Sequence, residues 1–182
     1  SPSEHGLSDD ELNPIIIDTN GQPNVIDVRS TSSDGNYGPG DIINISVHFS
    51  KTVTVSGEPY LTLNVGTSQT DGIATYNSGS GTPTLHFNYV VGNEHATLNL
   101  EYLDNHSLHL GFDGVHSGSI RQASTNPSID ASLELALPGT FGSLGTNSNI
   151  KIDSRTPFIT MISAMPGQYS MGDEIVIQVQ FS

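Results

Sequence analysis

Cysteine and tryptophan are absent from this 182-residue chain, and its only basic side chains are Arg29, Lys51, Arg121, Lys151 and Arg155. Without cysteine there are no disulfides and no thiolate metal sites. Export is not excluded, because long surface arrays can be built without disulfides. Set against 19 Asp and Glu, the bases leave a formal charge of −14. No basic face can be assembled for a phosphate backbone, which argues against nucleic acid as a partner. No apolar run approaches the roughly 18 residues that a membrane-spanning helix needs. No signal peptide opens the chain, although a mature or excised fragment would lack one in any case. What is present is polar and turn-rich. Hydrophobic residues make up 34% and charged residues 13%, with 19 Gly and 10 Pro. Such a composition suits an all-β domain with many turns rather than a helical bundle or a disordered segment.

The chain also repeats itself. Tyr37-Gly-Pro-Gly-Asp-Ile-Ile-Asn-Ile-Ser-Val-His-Phe-Ser50 returns as Tyr169-Ser-Met-Gly-Asp-Glu-Ile-Val-Ile-Gln-Val-Gln-Phe-Ser182, at a constant offset of 132 (169 − 37). Ile43, Ile45, Val47 and Phe49 match Ile175, Ile177, Val179 and Phe181, all apolar and all two apart. Ile42, Ser46 and His48 between them change freely to Glu174, Gln178 and Gln180. Period two is strand geometry, so the matched face is predicted to be core. Asn44 against Val176 suggests partial cover on the other face.

Upstream, Ile15-Ile16-Ile17-Asp18-Thr19 parallels Ile150-Lys151-Ile152-Asp153-Ser154 at an offset of 135 (150 − 15), and Pro23 parallels Pro157 at 134 (157 − 23). Residues 1–22 therefore read as the end of a preceding unit or a linker, 23–153 as one complete unit, and 154–182 as the incomplete start of the next. A chain organised this way is expected to be part of a tandem array. Residues 158–182 are not expected to complete a sandwich alone.

Within the unit, strands are predicted at Val25–Val28, Asp41–Phe49, Tyr60–Val65, Ile73–Tyr76, Thr84–Val91, Ala96–Tyr102, Ser107–Phe112, Ser132–Ala136 and Ile150–Ile152. Leu98, Leu100 and Tyr102 are predicted to share one face. Short strands every 8–15 residues with Gly, Asn, Asp and Pro between them indicate an antiparallel β-sandwich. No stretch has a capped 3.6-residue period; Asp9–Leu12 could form one helical turn at most.

The order of motifs adds a resemblance. Tyr37-x-x-Gly40-Asp41, Phe49-Ser50-Lys51-x-Val53-x-Val55-x-Gly57-x-Pro59-x-Leu61-x-Leu63, Ala74-x-Tyr76-x-Ser78-Gly79-Ser80-Gly81, Leu85-x-Phe87-x-Tyr89-x-Val91, Leu137-Pro138-Gly139 and Gly142-Ser143-Leu144 ahead of Ile152-Asp153 carry it. This ordering resembles the immunoglobulin- or cadherin-like repeats of large surface proteins. The closest type is the SWM repeat, first associated with cyanobacterial swimming-motility and flagellar-system proteins. It implies extracellular modules strung end to end in adhesins, cell-surface filaments or hairs. Implied partners are neighbouring repeats or identical subunits, and a cell-surface or matrix ligand.

Site chemistry is sparse. Asp18-Thr19-Asn20 with Asp27, and Asp153-Ser154, offer hard oxygen ligands at the two junctions, where calcium could stiffen an array. The same aspartates serve equally as caps or turn residues after a strand. Asn44 and Asn105 head glycosylation sequons, at near chance frequency. His86, His95, His106, His109 and His116 crowd the middle of the unit. His106 with His109, or His109 with His116, could pair on a transition metal, whereas alternation simply turns His86 and His109 outward. Tyr37, Tyr60, Tyr76, Tyr89 and Tyr102 could meet carbohydrate but alternate with core residues. No nucleophile elbow, His-Glu-x-x-His or phosphate-cradling loop occurs, and Asp104 and Asp113 are acids without a motif, so no enzyme is expected. The expected role is a structural and interaction repeat. The alternatives are a ligand-binding adhesin domain using calcium or sugar at its loops, for example 104–128, and an accessory domain of a secreted hydrolase.

Overall fold

Period-two burial runs through residues 42–49, 60–65 and 84–91 much as the sequence predicts. The computed structural model describes residues 21–66, 72–111 and 118–182. The predicted helical turn at Asp9–Leu12 lies outside them. The strands are β1 (Val25–Ser30), β2 (Gly35–Tyr37), β3 (Ile42–Ser56), β4 (Tyr60–Asn64), β5 (Gly72–Ser78), β6 (Thr82–Val90), β7 (Ala96–Thr97), β8 (Glu101–Tyr102), β9 (Leu108–His109), β10 (Ser119–Gln122), β11 (Ile150–Asp153), β12 (Ile159–Ala164) and β13 (Ile177–Phe181). One short helix, α1 (Leu144–Asn147), precedes β11.

The main sheet is antiparallel and runs β1-β3-β6-β5-β4-β8, with β10 also on β3 and β9 also on β4. Its spine is β3, which pairs β1 through Ile45–Phe49 and then, past a bulge between His48 and Val53, pairs β10 through Val53–Ser56. A strand of this length can serve two partners because the bulge re-aims its second half. A smaller sheet, β2-β11-β7, supplies the facing layer. Here β11 runs parallel to β2, so the fold is an all-β sandwich with one parallel pair in an otherwise antiparallel arrangement.

Between the sheets lies one core. Ile43, Ile45, Val47 and Phe49 of β3 are all at most 2% exposed, together with Leu85, Phe87 and Tyr89 of β6 and Leu61 and Leu63 of β4. Leu144 of α1 and Ile150 and Ile152 of β11 close it from the other side. On the outer face Ser46 is also fully buried, flanked in the ladder by Arg29 and His86, which accounts for the partial cover inferred from Asn44.

Three expected strands take a different form; Ser107–Phe112 pairs only at β9, and its Phe112 lies outside the described residues. Ala96–Tyr102 is not one strand: β7 pairs β11 in the small sheet and β8 pairs β4 in the main one. The chain changes sheets between them, so Leu98 does not share the buried face of Leu100 and Tyr102 and is 87% exposed. Ser132–Ala136 forms no ladder. Its neighbourhood is held by single bonds to three partners: Ala131 N–H to Ile120 O (2.8 Å), Ser132 N–H to Pro23 O (2.7 Å) and Leu135 N–H to Asn105 O (2.9 Å).

Entry to and exit from this unit lie at opposite poles. At the entry, Asn24 and Ser50 exchange hydrogen bonds and Lys51 Nζ donates to Gly21 O at 2.6 Å. At the exit, Ser154 meets Gly92 and His95, just beyond the end of β6 that pairs with Ile42. The nine steps from Asp41, just ahead of β3, to Ser50 separate the poles by about 30 Å at roughly 3.3 Å per residue.

Candidate functional site

Residues 158–182 form a hairpin, β12–β13, that reproduces the β1–β3 pairing pair by pair. In the first copy Val25 faces Phe49, Asp27 faces His48 and Val28 faces Val47. In the second, Ile159 faces Phe181, Met161 faces Gln180 and Ile162 faces Val179. Both hairpins carry a bulge at the same place, between Val25 and Asp27 and between Ile159 and Met161. Their ends are closed alike: Asn24 N–H donates to Ser50 Oγ (3.1 Å) and Phe158 N–H to Ser182 Oγ (3.3 Å).

The turns agree as well. Tyr37 OH donates to Ser33 O, as Tyr169 OH does to Met165 O, four residues back in each case. Asp41 Oδ2 accepts from Gly38 N–H at 2.8 Å, and Asp173 Oδ2 from Ser170 N–H at 2.5 Å. Gly40 and Gly172 take positive φ, +84° and +98°, a conformation that costs glycine little. The sequence repeat is therefore also a repeat of register and turn geometry.

What differs is the cover. Val28, Ile43, Ile45, Val47 and Phe49 are at most 2% exposed, whereas their counterparts Ile162, Ile175, Ile177, Val179 and Phe181 are 46–64% exposed. The apolar face that is core in the first copy lies open in the second. Phe158, Met165 and Met171 add to the exposed apolar surface. An exposed face of this kind is a feature of interaction sites and ordinarily has a partner.

The exit junction leads into this hairpin. Ser154 is 5% exposed; its N–H donates to His95 O (2.9 Å), and its hydroxyl lies 2.6 Å from Gly92 O and 2.8 Å from His95 O. His95 is in turn fixed from below. Gly92 N–H donates to its Nδ1 at 3.1 Å, which makes Nδ1 an acceptor, so the Tyr89 hydroxyl 2.5 Å away is also a donor to it. Burial pushes the Tyr89 phenol up to about 12. Glu94 accepts from Thr156 N–H (3.3 Å) and Thr156 Oγ1 (2.9 Å). Beside it, a groove of about 810 Å³ runs along the small sheet, between Asn36, Tyr37, Leu98, Lys151 and Arg155.

Of the calcium candidates, the two described aspartates lie apart. Asp18 and Asn20 lie outside the described residues. Asp27 sits within β1, where its Oδ1 takes Arg29 Nε at 2.9 Å and lies 3.6 Å from His48 Nδ1. Asp153 closes β11 and accepts two bonds from the Arg155 guanidinium, 2.9 and 3.0 Å, and one from its N–H at 3.4 Å, which hold its carboxyl below the usual range. The two aspartates are on different sheets, each facing its own arginine two residues on. Among the described residues no group of three or more His, Asp or Glu converges on a metal-sized centre.

The other candidate residues are also placed. Asn44 is exposed mid-strand opposite Asn88, while the serine of its sequon, Ser46, is buried. Asn105 donates to Glu134 Oε1 at 3.2 Å, and its sequon serine, Ser107, is 2% exposed. His86 and His109 are half-buried rather than fully outward, and His109 stacks on Tyr60 with ring centroids 4.6 Å apart. His106 is exposed, whereas Asp113 and His116 lie outside the described residues. Tyr89 and Tyr102 are buried, and Tyr102 OH donates to Ala136 O at 2.5 Å. Tyr37, Tyr60 and Tyr76 are half-buried. Compared with protein-family models, curated proteins and solved structures, the chain shows no significant match.

Proposed function

We propose that this chain is a structural and interaction repeat of an extracellular filament, surface hair or giant adhesin, of the immunoglobulin- or cadherin-like SWM type. Its work is to set the length, stiffness and packing of an array of like units. One observation carries the reading: β12–β13 repeats the register, bulge and turn of β1–β3 while its core face stays bare. A hairpin alone is at best marginally stable in water, so a sequence that keeps five core-type apolar residues on one makes sense where further strands cover them. Entry and exit at opposite poles support end-to-end stacking rather than side-by-side packing. The strong acidic charge suits a surface module that must stay apart from its neighbours except at its ends.

The test is a fusion that appends residues 51–157 of this chain after Ser182, supplying to β12–β13 the strands that cover β1–β3. Two folded units are expected, with the amides of β13 protected from hydrogen exchange to the degree seen in β3. A fusion whose appended half remains unprotected would overturn the repeat reading.

A further inference from the structure

Charge is missing from one face of the molecule. The chain carries 19 Asp and Glu, yet none lies in β3, β4, β5 or β6. The one base in these strands, Lys51, falls in the bulge of β3 and reaches Gly21 at the entry pole. On a chain of formal charge −14, the outer face of the four central strands is thus uncharged apart from its histidines. Ladder pairing lays one row across it: Asn44 opposite Asn88, Asn88 opposite Thr75, Thr75 opposite Tyr60, and Tyr60 opposite His109. At about 4.8 Å between strands, these steps span about 19 Å.

The row holds hydrogen-bonding groups that the protein leaves unused. Among the described residues, neither the Asn44 nor the Asn88 side-chain amide has a hydrogen-bond partner, and both amides reach solvent. Each presents a donor and an acceptor side by side. Exposed Thr75 continues the row with its hydroxyl. At the far end Tyr60 and His109 stack with centroids 4.6 Å apart and planes 21° apart. That separation is close to the strand spacing, so the rings stand across the row and close it with an aromatic wall. The next row on the same face, two residues along each strand, is apolar. There Ile42 and Val90, opposite one another, are 55% and 56% exposed, and Ile73 beside them is 42% exposed.

We propose that this face binds an uncharged polysaccharide laid across β3, β6, β5 and β4. A sugar ring carries hydroxyls around its edge and C–H groups on its faces. Neighbouring hydroxyls, one donating and one accepting, match the paired amides of Asn44 and Asn88. The C–H faces match the Tyr60 wall and the apolar row of Ile42, Val90 and Ile73. An uncharged ligand meets no repulsion from this acidic chain, whereas an acidic glycan or a second copy of the chain does. Contacts on an open face compete with water, so a single site is weak, with a dissociation constant on the order of 1 mM. In an array, copies of the face along one glycan multiply that affinity. The face lies wholly within residues 42–109, so its ligand stands or falls separately from the repeat.

Nitrogen–proton NMR of the full chain tests it, with cellohexaose, laminarihexaose and mannohexaose as probes and polygalacturonate as the acidic control. At least one uncharged probe is expected to shift the Asn44 and Asn88 side-chain amides saturably. The affinity should be the same at low salt and at about 0.5 M salt, because no ion pair is made. Asn44→Ala with Asn88→Ala should weaken binding about tenfold. Both side chains point out of the sheet, so the double variant should keep the wild-type tyrosine circular dichroism. Shift mapping on the wild type reads the site without any variant. The proposal is overturned if no uncharged probe shifts these amides, if the shifts gather instead on Lys151 and Leu98 of the groove, or if only polygalacturonate binds. An affinity that the double variant leaves unchanged overturns it too. So does a face that takes a second copy of the chain, seen as a doubling of mass that the double variant abolishes.

Discussion

Ile45 and Ile177 occupy the same position in two copies of one hairpin, and they should respond unequally to the same substitution. Ile45 is fully buried, whereas Ile177 is 62% exposed. Truncation to alanine removes three carbons. At about 0.8 kcal/mol per buried methylene, the lost transfer energy at Ile45 is about 2.4 kcal/mol. The cavity left between β3, β6 and the small sheet adds about 1 kcal/mol, so Ile45→Ala should cost about 3–4 kcal/mol. Ile177→Ala should stay within about 0.5 kcal/mol in dilute solution, as exposed sites do. Urea unfolding followed by near-UV circular dichroism reports on the first unit through the buried Tyr89 and Tyr102. With a denaturant slope of roughly 1.5–2 kcal/mol/M for a unit of this size, the Ile45→Ala midpoint should fall by about 2 M. The Ile177→Ala midpoint should barely move. Equal shifts at the two positions would falsify the assignment of one face as core and the other as open.

Two further outcomes rest on particular groups. Burial raises Tyr89 to about 12 and, with Glu101 adding to the effect, raises Tyr102 as well. For an acid raised in the folded state, the associated stability is complete below the unfolded value near 10 and declines as pH climbs beyond it. Absorbance titration near 295 nm should therefore show the Tyr89 and Tyr102 phenols ionising only well above pH 10, together with unfolding, and stability should fall from pH 10 upward. Ionisation of either phenol near pH 10 in a still-folded protein would contradict the buried placements. Gly66 has φ +76° and a Cβ there would lie 2.2 Å from Ala96 O, whereas Gly139 has φ +75° and nothing within 4 Å. Gly139→Ala should cost only backbone strain, about 1 kcal/mol, and Gly66→Ala at least twice that, read as a clear gap between their melting temperatures.

How far the sequence carries the fold depends on whether an element has a local cause. Alternation is local, so Ile43 to Phe49 and Leu85 to Tyr89 announce their strands and their buried face. The crossing from β7 to β8 is not local. Leu98, Leu100 and Tyr102 alternate as one strand would, but Leu100 N–H is committed to Ile150 O (2.8 Å), fifty residues away, and Thr97 Oγ1 folds back on Asn99 O (3.0 Å). β2 is three residues, Gly-Asn-Tyr, with no apolar pair to alternate. α1 contains Gly, Thr and Asn, all modest or poor helix formers, and is held by Ser143 and Thr146 rather than by propensity. At the aspartates a signal was there to be read. Asp27-Val-Arg29 and Asp153-Ser-Arg155 are Asp-x-Arg pairs, and residues two apart in an extended chain share a face, so each carboxylate meets its own guanidinium.

The stiffness of an array depends on how many torsions remain free between the last anchored residue of one unit and the first of the next. Ser154 is anchored through Gly92 and His95, Arg155 through Asp153, and Thr156 through Glu94. Phe158 is already tied into the second hairpin, its N–H to Ser182 Oγ and its O to Ser182 N–H. Only Pro157 stands between, and the pyrrolidine ring locks its φ near −65°. Two torsions are left to carry bending: the ψ of Pro157 and the ψ of Thr156, which the following proline itself restricts. On the proposed reading this is how a chain without disulfides makes a semi-rigid rod: both sides of the joint are fastened by side-chain and backbone hydrogen bonds until a single residue separates them. Glu94 then holds the last anchor before Pro157. Its loss would free Thr156 and double the number of unanchored residues without touching either core.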